Sequence, residues 1–232
     1  MKIEIWSDIA CPWCYIGKRR LERALAAHPD GDQVEIVWRS FELDPTAPPA
    51  AEHSLIELLA SKYGMSLERA RQMQDHVTAV AAEDGLAFHF EDVQPGNTFD
   101  AHRLIHLAHS AGKQDAMKER LLRAYFTDGG SLSDHDALTA AATDVGLDPD
   151  AARALLASDS HADDVRHDES RARELGIRGV PFFLFNGEHG VSGAQPPEVF
   201  TQLLDKLQPR SPGDGADDGP ACDDQGCELD PR

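Results

Sequence analysis

Positive charge is scarce in this sequence. Its 22 lysines and arginines compare with 41 aspartates and glutamates, so the formal net charge is −19 over 232 residues. Proteins that bind nucleic-acid backbones or anionic membranes present clusters of positive charge at the surface. We therefore expect neither a nucleic acid nor a membrane to be the main partner of this chain.

Long hydrophobic runs are also missing. No apolar stretch approaches the length that a membrane-spanning helix needs. The N-terminus, "MKIEIWSDIACPWC", lacks a basic segment followed by a long apolar one, so we expect no signal peptide. These features predict a cytoplasmic protein.

Cysteine is the third scarce residue. The four cysteines form two close pairs, Cys11 with Cys14 and Cys222 with Cys227. A secreted scaffold held by disulfides would need more cysteines at wider spacing. In a reducing compartment, such pairs are more often catalytic, redox-sensing or metal-binding than structural.

The hydrophobic pattern predicts an α/β protein. A strand, a helix and a second strand come first, and a long helical stretch, two short strands and a closing helix follow. We expect five or six helices between residues 54 and 173. The strands are expected at 2–7, 34–43, 182–185 and 191–192, and the closing helix at 196–207. This order is that of a thioredoxin fold with a large α-helical insertion domain.

The composition divides the chain into four segments. We expect the first part of a thioredoxin-like domain, an α-helical insertion domain, the second part of the thioredoxin-like domain, and a disordered acidic tail that carries the Cys-x4-Cys pair. These segments are 1–50, 51–165, 166–208 and 209–232.

The Cys11-Pro12-Trp13-Cys14 motif lies between the first predicted strand and the first predicted helix. Unpaired N–H groups and the helix dipole favour negative charge at a helix N-terminus, so we expect the pKa of Cys11 to be lowered. Cys14 follows almost one turn later, within reach to close a disulfide. Trp13 is expected to present apolar surface to a partner.

A zinc site is the main alternative for these cysteines. Cys11, Cys14, Cys222 and Cys227 together supply four thiolates, as a structural zinc site requires. However, a zinc knuckle usually has a small residue after its second cysteine, and here Tyr15 begins a helix. We therefore predict no metal.

The segment "GVPFF" is a second signal. In the thioredoxin plan, the loop before the third strand brings a proline with a cis peptide bond against the dithiol. Val180 and Pro181 occupy that place, and the Val180 backbone would be free to pair with a substrate strand.

The segments "DIACPWCYIGKRRLE", "NTFDAHRLIHLA", "GVPFFLF" and "VSGAQP" resemble those of the DsbA-like thioredoxin-fold oxidoreductases, and within them the FrnE-like branch. The resemblance covers about residues 1–207. It implies thiol–disulfide exchange on proteins. Related glutathione-using branches, the 2-hydroxychromene-2-carboxylate isomerases and kappa-class glutathione transferases, typically have Ser where Cys11 stands. The similar Asn-Thr segment lies by their active site, which makes Asn97, Thr98 and Arg103 candidate cleft residues.

Asp8 precedes Cys11 by three residues. Its carboxylate would oppose a nearby thiolate, or accept a proton from Cys14, while a simple capping role is an equal alternative. His102, His106 and His109 recur at helical spacing, but no carboxylate or cysteine completes a metal site, so we interpret them as ordinary polar and boundary positions.

Cys222 and Cys227 flank "DDQG", which allows a tight turn. The neighbouring acidic residues should raise the pKa values of these thiols and make them poor nucleophiles. We consider two possibilities, an accessory redox pair that exchanges electrons with Cys11 and Cys14, and an unrelated surface pair.

The sequence as a whole predicts a protein disulfide reductase or isomerase. Cys11 would attack and Cys14 would resolve, with no required cofactor and with glutathione as a candidate reductant. The partners would be disulfide-bearing proteins, together with glutathione or a thioredoxin system. Two alternatives stay open: a glutathione-dependent isomerase or transferase acting on a small aromatic substrate, and a metal-binding or chaperone protein that uses all four cysteines.

Overall fold

A single four-stranded sheet forms the centre of the fold. The computed structural model describes residues 1–207, and its strands lie in the order β2-β1-β3-β4. β1 pairs in parallel with β2 and antiparallel with β3, and β3 pairs antiparallel with β4. The strands are β1 (Lys2–Ser7), β2 (Glu35–Ser40), β3 (Phe182–Phe185) and β4 (His189–Ser192). This topology confirms the predicted fold class, and it brings the two ends of the described chain together at the β1–β3 pair.

Nine helices surround the sheet within residues 1–207, and a short 3-10 turn at Gly31–Gln33 precedes β2. The helices are α1 (Pro12–Ala27), α2 (Leu55–Tyr63), α3 (Leu67–Glu83), α4 (Phe99–Ser110), α5 (Gln114–Phe126), α6 (His135–Asp144), α7 (Pro149–Leu156), α8 (Ala162–Glu174) and α9 (Pro197–Leu207).

The helical stretch between β2 and β3 holds seven helices, where the sequence predicted five or six. The break between α7 and α8 had no glycine or proline to mark it. There the chain turns at His161, whose φ is 61°. β2 is also shorter than the predicted 34–43. The N–H of Leu43 donates to the carboxylate of Asp8 at 2.7 Å and therefore does not pair with a neighbouring strand.

Both faces of the sheet are covered. Ile3 and Ile5 of β1 pack on one face, in the same apolar cluster as Ile16 of α1 and Phe200 of α9. Trp6 lies on the opposite face against Ala172 of α8, Ile177 and Leu184. The alternation along β1 explains this arrangement, because successive side chains of a strand point to opposite faces.

α5 is fixed to the edge strand β2 by one side chain. The Gln114 amide accepts from the Trp38 N–H and donates to the Trp38 carbonyl, each at 3.0 Å. Gln114 thus satisfies the backbone groups that an edge strand would otherwise leave open. The contact sets the register of α5, so residues one turn after Gln114 lie over the sheet near the end of β1.

The division into two domains stays a prediction. α8 runs through the boundary that was placed between residues 165 and 166. Within the described part of the chain, no helix has both the length and the apolar character to span a bilayer.

Candidate active site

Cys11 and Cys14 lie at the start of α1. Cys11 is the N-cap residue and Pro12 occupies the first helical turn, as the sequence predicted. Both cysteines are free thiols and almost fully buried, with 5% of Cys11 and 1% of Cys14 exposed. Trp13 between them is 36% exposed, so the apolar surface of the motif faces solvent.

The loop before β3 closes over Cys11. The Val180–Pro181 peptide bond is cis, as expected, and the Cys11 thiol donates to the Val180 carbonyl with an Sγ–O distance of 3.5 Å. Within residues 1–207, neither the N–H nor the C=O of Val180 takes part in a backbone–backbone hydrogen bond. The Val180 backbone is therefore available to an extended segment of another chain.

Gly17 allows α1 to approach this loop. A Cβ atom at Gly17 would lie 3.0 Å from Cγ of Pro181 and 3.2 Å from Cζ of Phe183, which is closer than side chains normally pack. The missing side chain thus sets how near the motif lies to Pro181. The sequence analysis did not identify this residue, although a lone glycine inside a helical pattern is a signal of close packing.

The contact between the two thiols shifts their pKa values in opposite directions. The pKa of Cys11 is raised well above its ordinary value, mainly by its hydrogen bond with Cys14, and also by burial. The pKa of Cys14 is lowered despite its burial, because it interacts with Cys11, with the charge of Lys118 and with Ser7. Two thiols this close titrate together, so each titration step belongs to the pair and not to one cysteine. The pKa of Cys11 is thus raised where the sequence predicted a lowered value, mainly because of its hydrogen bond with Cys14.

Lys118 of α5 is buried behind the dithiol, with 1% of the residue exposed. Its Nζ lies 3.4 Å from the Ser7 carbonyl oxygen and 5.5 Å from the centre of the Trp38 ring. Burial lowers the pKa of Lys118 to about 8, and the charges of Cys14 and Asp8 oppose that shift. No sequence signal pointed to Lys118, because it belongs to a helix far along the chain.

Asp8 lies beneath the motif and pairs with a histidine. One carboxylate oxygen is 3.3 Å from Nε2 of His102, and the other accepts the Leu43 N–H. The pKa of Asp8 is lowered although burial alone would raise it, because His102 binds the carboxylate. Burial lowers the pKa of His102, which keeps the ring neutral. His102 is therefore a core residue beside the site, whereas His109 lies at the surface as expected.

The three candidate cleft residues Asn97, Thr98 and Arg103 make hydrogen bonds or caps within the fold. Asn97 accepts the Phe99 N–H at 2.8 Å, and Thr98 is the buried N-cap residue of α4. Arg103 donates to the carbonyl oxygens of Ser160 and Leu155 and so holds the loop after α7. These contacts favour a structural role for Arg103 in place of the predicted substrate contact.

The predicted absence of a metal site stays a prediction for the whole chain. Among residues 1–207, no three histidine, cysteine or acidic side chains cluster closely enough to hold a metal ion. Cys222 and Cys227 lie outside the described residues, so the structure does not bear on their accessory role or on a site built from all four cysteines.

Three comparisons relate this chain to known proteins. The family model of the DSBA-like thioredoxin domain matches residues 2–205. The structure of a probable DsbA oxidoreductase from Streptomyces coelicolor is 46% identical over 100% of both chains, with a TM-score of 0.86. The Bacillus subtilis (strain 168) protein YwbO is 28% identical over 208 residues, which are 89% of this chain and 96% of YwbO.

A more distant structure shows the same fold. The cytosolic disulfide reductase DsbM from Pseudomonas aeruginosa is 15% identical over 89% of this chain and 98% of its own, with a TM-score of 0.65. DsbM has also been solved with glutathione. At this identity, the likeness concerns the fold alone.

Proposed function

The chain belongs to the family of DSBA-like thioredoxin domains, and we propose that it reduces or isomerises disulfide bonds in protein substrates. One observation carries the proposal. The Cys11 thiol, at the N-terminus of α1, lies 3.5 Å from a Val180 carbonyl that no backbone group of the described chain uses. A nucleophile and a strand-docking site therefore share one cleft.

The proposed reaction has two exchanges. The Cys11 thiolate attacks one sulfur of the substrate disulfide, forming a Cys11–substrate disulfide and releasing the other substrate sulfur as a thiolate. Cys14 gives its proton to the released substrate thiolate. As a thiolate it then attacks the Cys11 sulfur and releases the second substrate thiolate, which leaves a Cys11–Cys14 disulfide. A thiol reductant such as glutathione supplies the two electrons that restore the dithiol.

Docking of the substrate would also activate Cys11. An extended substrate segment that donates an N–H to the Val180 carbonyl competes with the Cys11 thiol for that acceptor. The proton shared between the sulfurs then moves to Cys14, and the charge moves to Cys11. The half-exposed Trp13 ring supplies apolar contact to the same segment.

We further propose a cytoplasmic location, the FrnE-like branch of the family and glutathione as the reductant. Support comes from the DsbM fold likeness, because DsbM is a cytosolic disulfide reductase whose structure is known with glutathione. Proteins that share a fold can differ in function, so each of these three points needs its own assay.

Insulin reduction and refolding of scrambled ribonuclease test the proposal in wild type, Cys11→Ser and Cys14→Ser. We expect Cys11→Ser to lose more than 100-fold in both assays, because it removes the attacking sulfur. Cys14→Ser should still attack but should accumulate a mixed disulfide with substrate, detectable as a mass increase that a reductant reverses.

A different result would identify a different chemistry. If Cys14→Ser keeps full turnover with glutathione on a small aromatic substrate, the chain is an isomerase or transferase, since that chemistry needs at most one thiol. If wild type exchanges with neither protein disulfides nor oxidised glutathione, the oxidoreductase proposal is refuted.

The tail cysteines need a separate variant. We propose that Cys222 and Cys227 exchange electrons with the Cys11–Cys14 pair, because two dithiols on one chain meet at a high effective concentration. Replacing both with Ser should slow turnover with a limiting reductant. Unchanged turnover and an unchanged redox state of Cys11 and Cys14 would refute the relay.

A further inference from the structure

We propose that a cavity between α2, α3 and the segment 88–93 binds a small zwitterion with an apolar body, an apolar α-amino acid or a dipeptide. The cavity has a volume of about 450 Å³. Small-molecule sites typically measure roughly 300–1,000 Å³. None of the lining residues belongs to the Cys11–Cys14 motif or to the Val180–Pro181 loop. The inference is therefore independent of the proposed dithiol chemistry.

One face of α3 presents polar side chains to this cavity. They recur at i, i+3, i+4 and i+7, the spacing that places residues on one face of a helix. A helix face that packs against the rest of a protein is normally apolar, and polar groups there need hydrogen-bond partners. The four residues are Arg71, Gln74, Asp75 and Thr78.

Two of these side chains have unused hydrogen-bonding groups. The Nε2 atom of Gln74 is shielded from solvent and has no partner within residues 1–207. Buried polar groups of folded proteins are almost always hydrogen-bonded, so this donor favours an acceptor from a bound molecule. The helical threonines Thr139 and Thr143 donate to the carbonyl oxygen four residues earlier. Thr78 makes no such bond in the described structure, so its hydroxyl is also available to a ligand.

Three exposed charged side chains border the cavity. Arg71 is cationic, and Asp75 and Glu91 are anionic. None of them has an ion-pair partner within 4.0 Å among residues 1–207. A carboxylate fits Arg71, because a guanidinium binds it through two parallel hydrogen bonds, and the Gln74 amide adds a third donor. An ammonium group fits the two carboxylates. Charges of both signs therefore favour a zwitterion over a simple acid or amine.

The other lining residues are mostly apolar. They include Leu55 of α2 and the rings of Phe88 and Phe90, which lie 5.6 Å apart. Phe88 stacks on Phe126 at 4.7 Å and on Tyr15 at 5.9 Å, so an aromatic cluster fixes this part of the wall. An apolar ligand side chain gains burial here, and an aromatic one gains ring contacts in addition.

Isothermal titration calorimetry of the full-length protein tests the inference with L-phenylalanine, glycyl-L-phenylalanine, 3-phenylpropanoate and 2-phenylethylamine. The last two keep the ring but lack the ammonium and the carboxylate, respectively. We expect saturable binding of the amino acid or the dipeptide, and binding of the acid and the amine that is weaker by about tenfold or more. Whichever zwitterion binds more tightly distinguishes free amino acids from peptides as the source.

Equally tight binding of the acid or the amine would overturn the inference, because one charge would then suffice. The absence of saturable binding by any of the four probes would overturn it as well.

Matched variants on α3 locate the binding. Gln74→Met and Arg71→Met remove donors from the cavity and should each weaken binding of the zwitterion by about tenfold. Gln72→Met and Arg69→Met are the controls, because they make the same changes at residues of α3 that do not line the cavity. The controls should bind as wild type does. Equal losses in the controls, or no loss in either cavity variant, would contradict the assignment.

A wild-type measurement covers the case in which a cavity variant does not fold. In ¹⁵N-labelled protein, the tighter-binding zwitterion should shift the backbone amide signals of residues 71–78 and 88–93. Shifts confined to residues 11–14 and 178–181 would place the ligand in the dithiol cleft. That result, or unchanged signals throughout, would overturn the inference without any variant.

Discussion

Two buried lysines lie near the Trp38 ring and differ in their charged partners. Lys18 of α1 and Lys118 of α5 are 2% and 1% exposed, and their Nζ atoms lie 5.9 and 5.5 Å from the ring centre. Lys18 forms ion pairs with Glu22, with Asp115 at 3.1 Å and with Glu119 at 3.3 Å. Lys118 has no carboxylate within that range in the described part of the chain.

The pKa values of the two lysines move in opposite directions. Burial lowers both, but the charges of Asp115 and Glu22 more than offset it at Lys18, whose pKa is raised. At Lys118 burial dominates, and the pKa falls to about 8. Burial alone therefore does not decide the state of a charged side chain. The nearby counter-charge decides it, because Lys18 has three carboxylates beside it and Lys118 has none within the described residues.

The largest expected effect on stability concerns Lys18. Lys18→Met should lower the free energy of unfolding by about 2 kcal/mol at pH 7, since three carboxylates lose their shared partner. The cost stays below that of breaking a fully buried pair because the carboxylates reach solvent. Urea unfolding followed by circular dichroism measures the change.

High salt gives the control for Lys18→Met. It should reduce the difference from wild type only partly, because the ammonium itself is buried. A variant as stable as wild type would show that the three ion pairs contribute nothing and would remove the contrast between the two lysines.

The second expected effect is an increase in the free energy of unfolding. With both cysteines reduced, Lys118→Met should raise the free energy of unfolding by about 1 kcal/mol at pH 7, because it removes a buried charge without a carboxylate partner. The pKa of Lys118 is lower in the folded than in the unfolded chain, so the penalty is present below about pH 8. The difference between variant and wild type should therefore shrink as the pH rises from 8 towards the unfolded pKa.

The smallest expected effect on stability concerns Gly17, next to Lys18 on α1. Gly17→Ala gains about 1 kcal/mol of helix propensity but adds a Cβ 3.0 Å from Pro181. Overpacking costs about 1–3 kcal/mol, so we expect a net loss of about 1 kcal/mol or less. Insulin reduction should slow several-fold, because the motif and Pro181 move apart.

Ala26→Gly is the control for Gly17, because Ala26 is an exposed residue of the same helix. It should cost about 1 kcal/mol through propensity alone and leave the rate of insulin reduction unchanged. If Gly17→Ala also leaves that rate unchanged, the close approach of α1 to Pro181 does not control the rate of thiol–disulfide exchange.

The local features of the site were predictable from short stretches of sequence. Cys11 and Cys14 fall where an alternating strand meets a helical pattern, and Pro12 marks the first helical turn. Val180 and Pro181 precede β3, the strand that pairs with β1 in a thioredoxin fold. The helix count failed because the break at His161 is a positive-φ turn without glycine.

The charges around the dithiol were not predictable in this way. The expected lowering of the Cys11 pKa rested on the helix N-terminus alone, but the hydrogen bond with Cys14 and burial raise this pKa. His102 and Asp8 are 94 residues apart and still meet in the core. Electrostatic interactions depend on distance in space, which a spacing along the chain does not give.

The sequence by itself determined that this chain is an α/β protein with a dithiol at a strand-to-helix turn, because backbone geometry and hydrophobic periodicity act over a few residues. Only the tertiary structure decided how burial and the contact between the two thiols shift their pKa values, and which buried lysine has no carboxylate beside it in residues 1–207. Those properties depend on which elements pack together, as α5 does on β2 through Gln114.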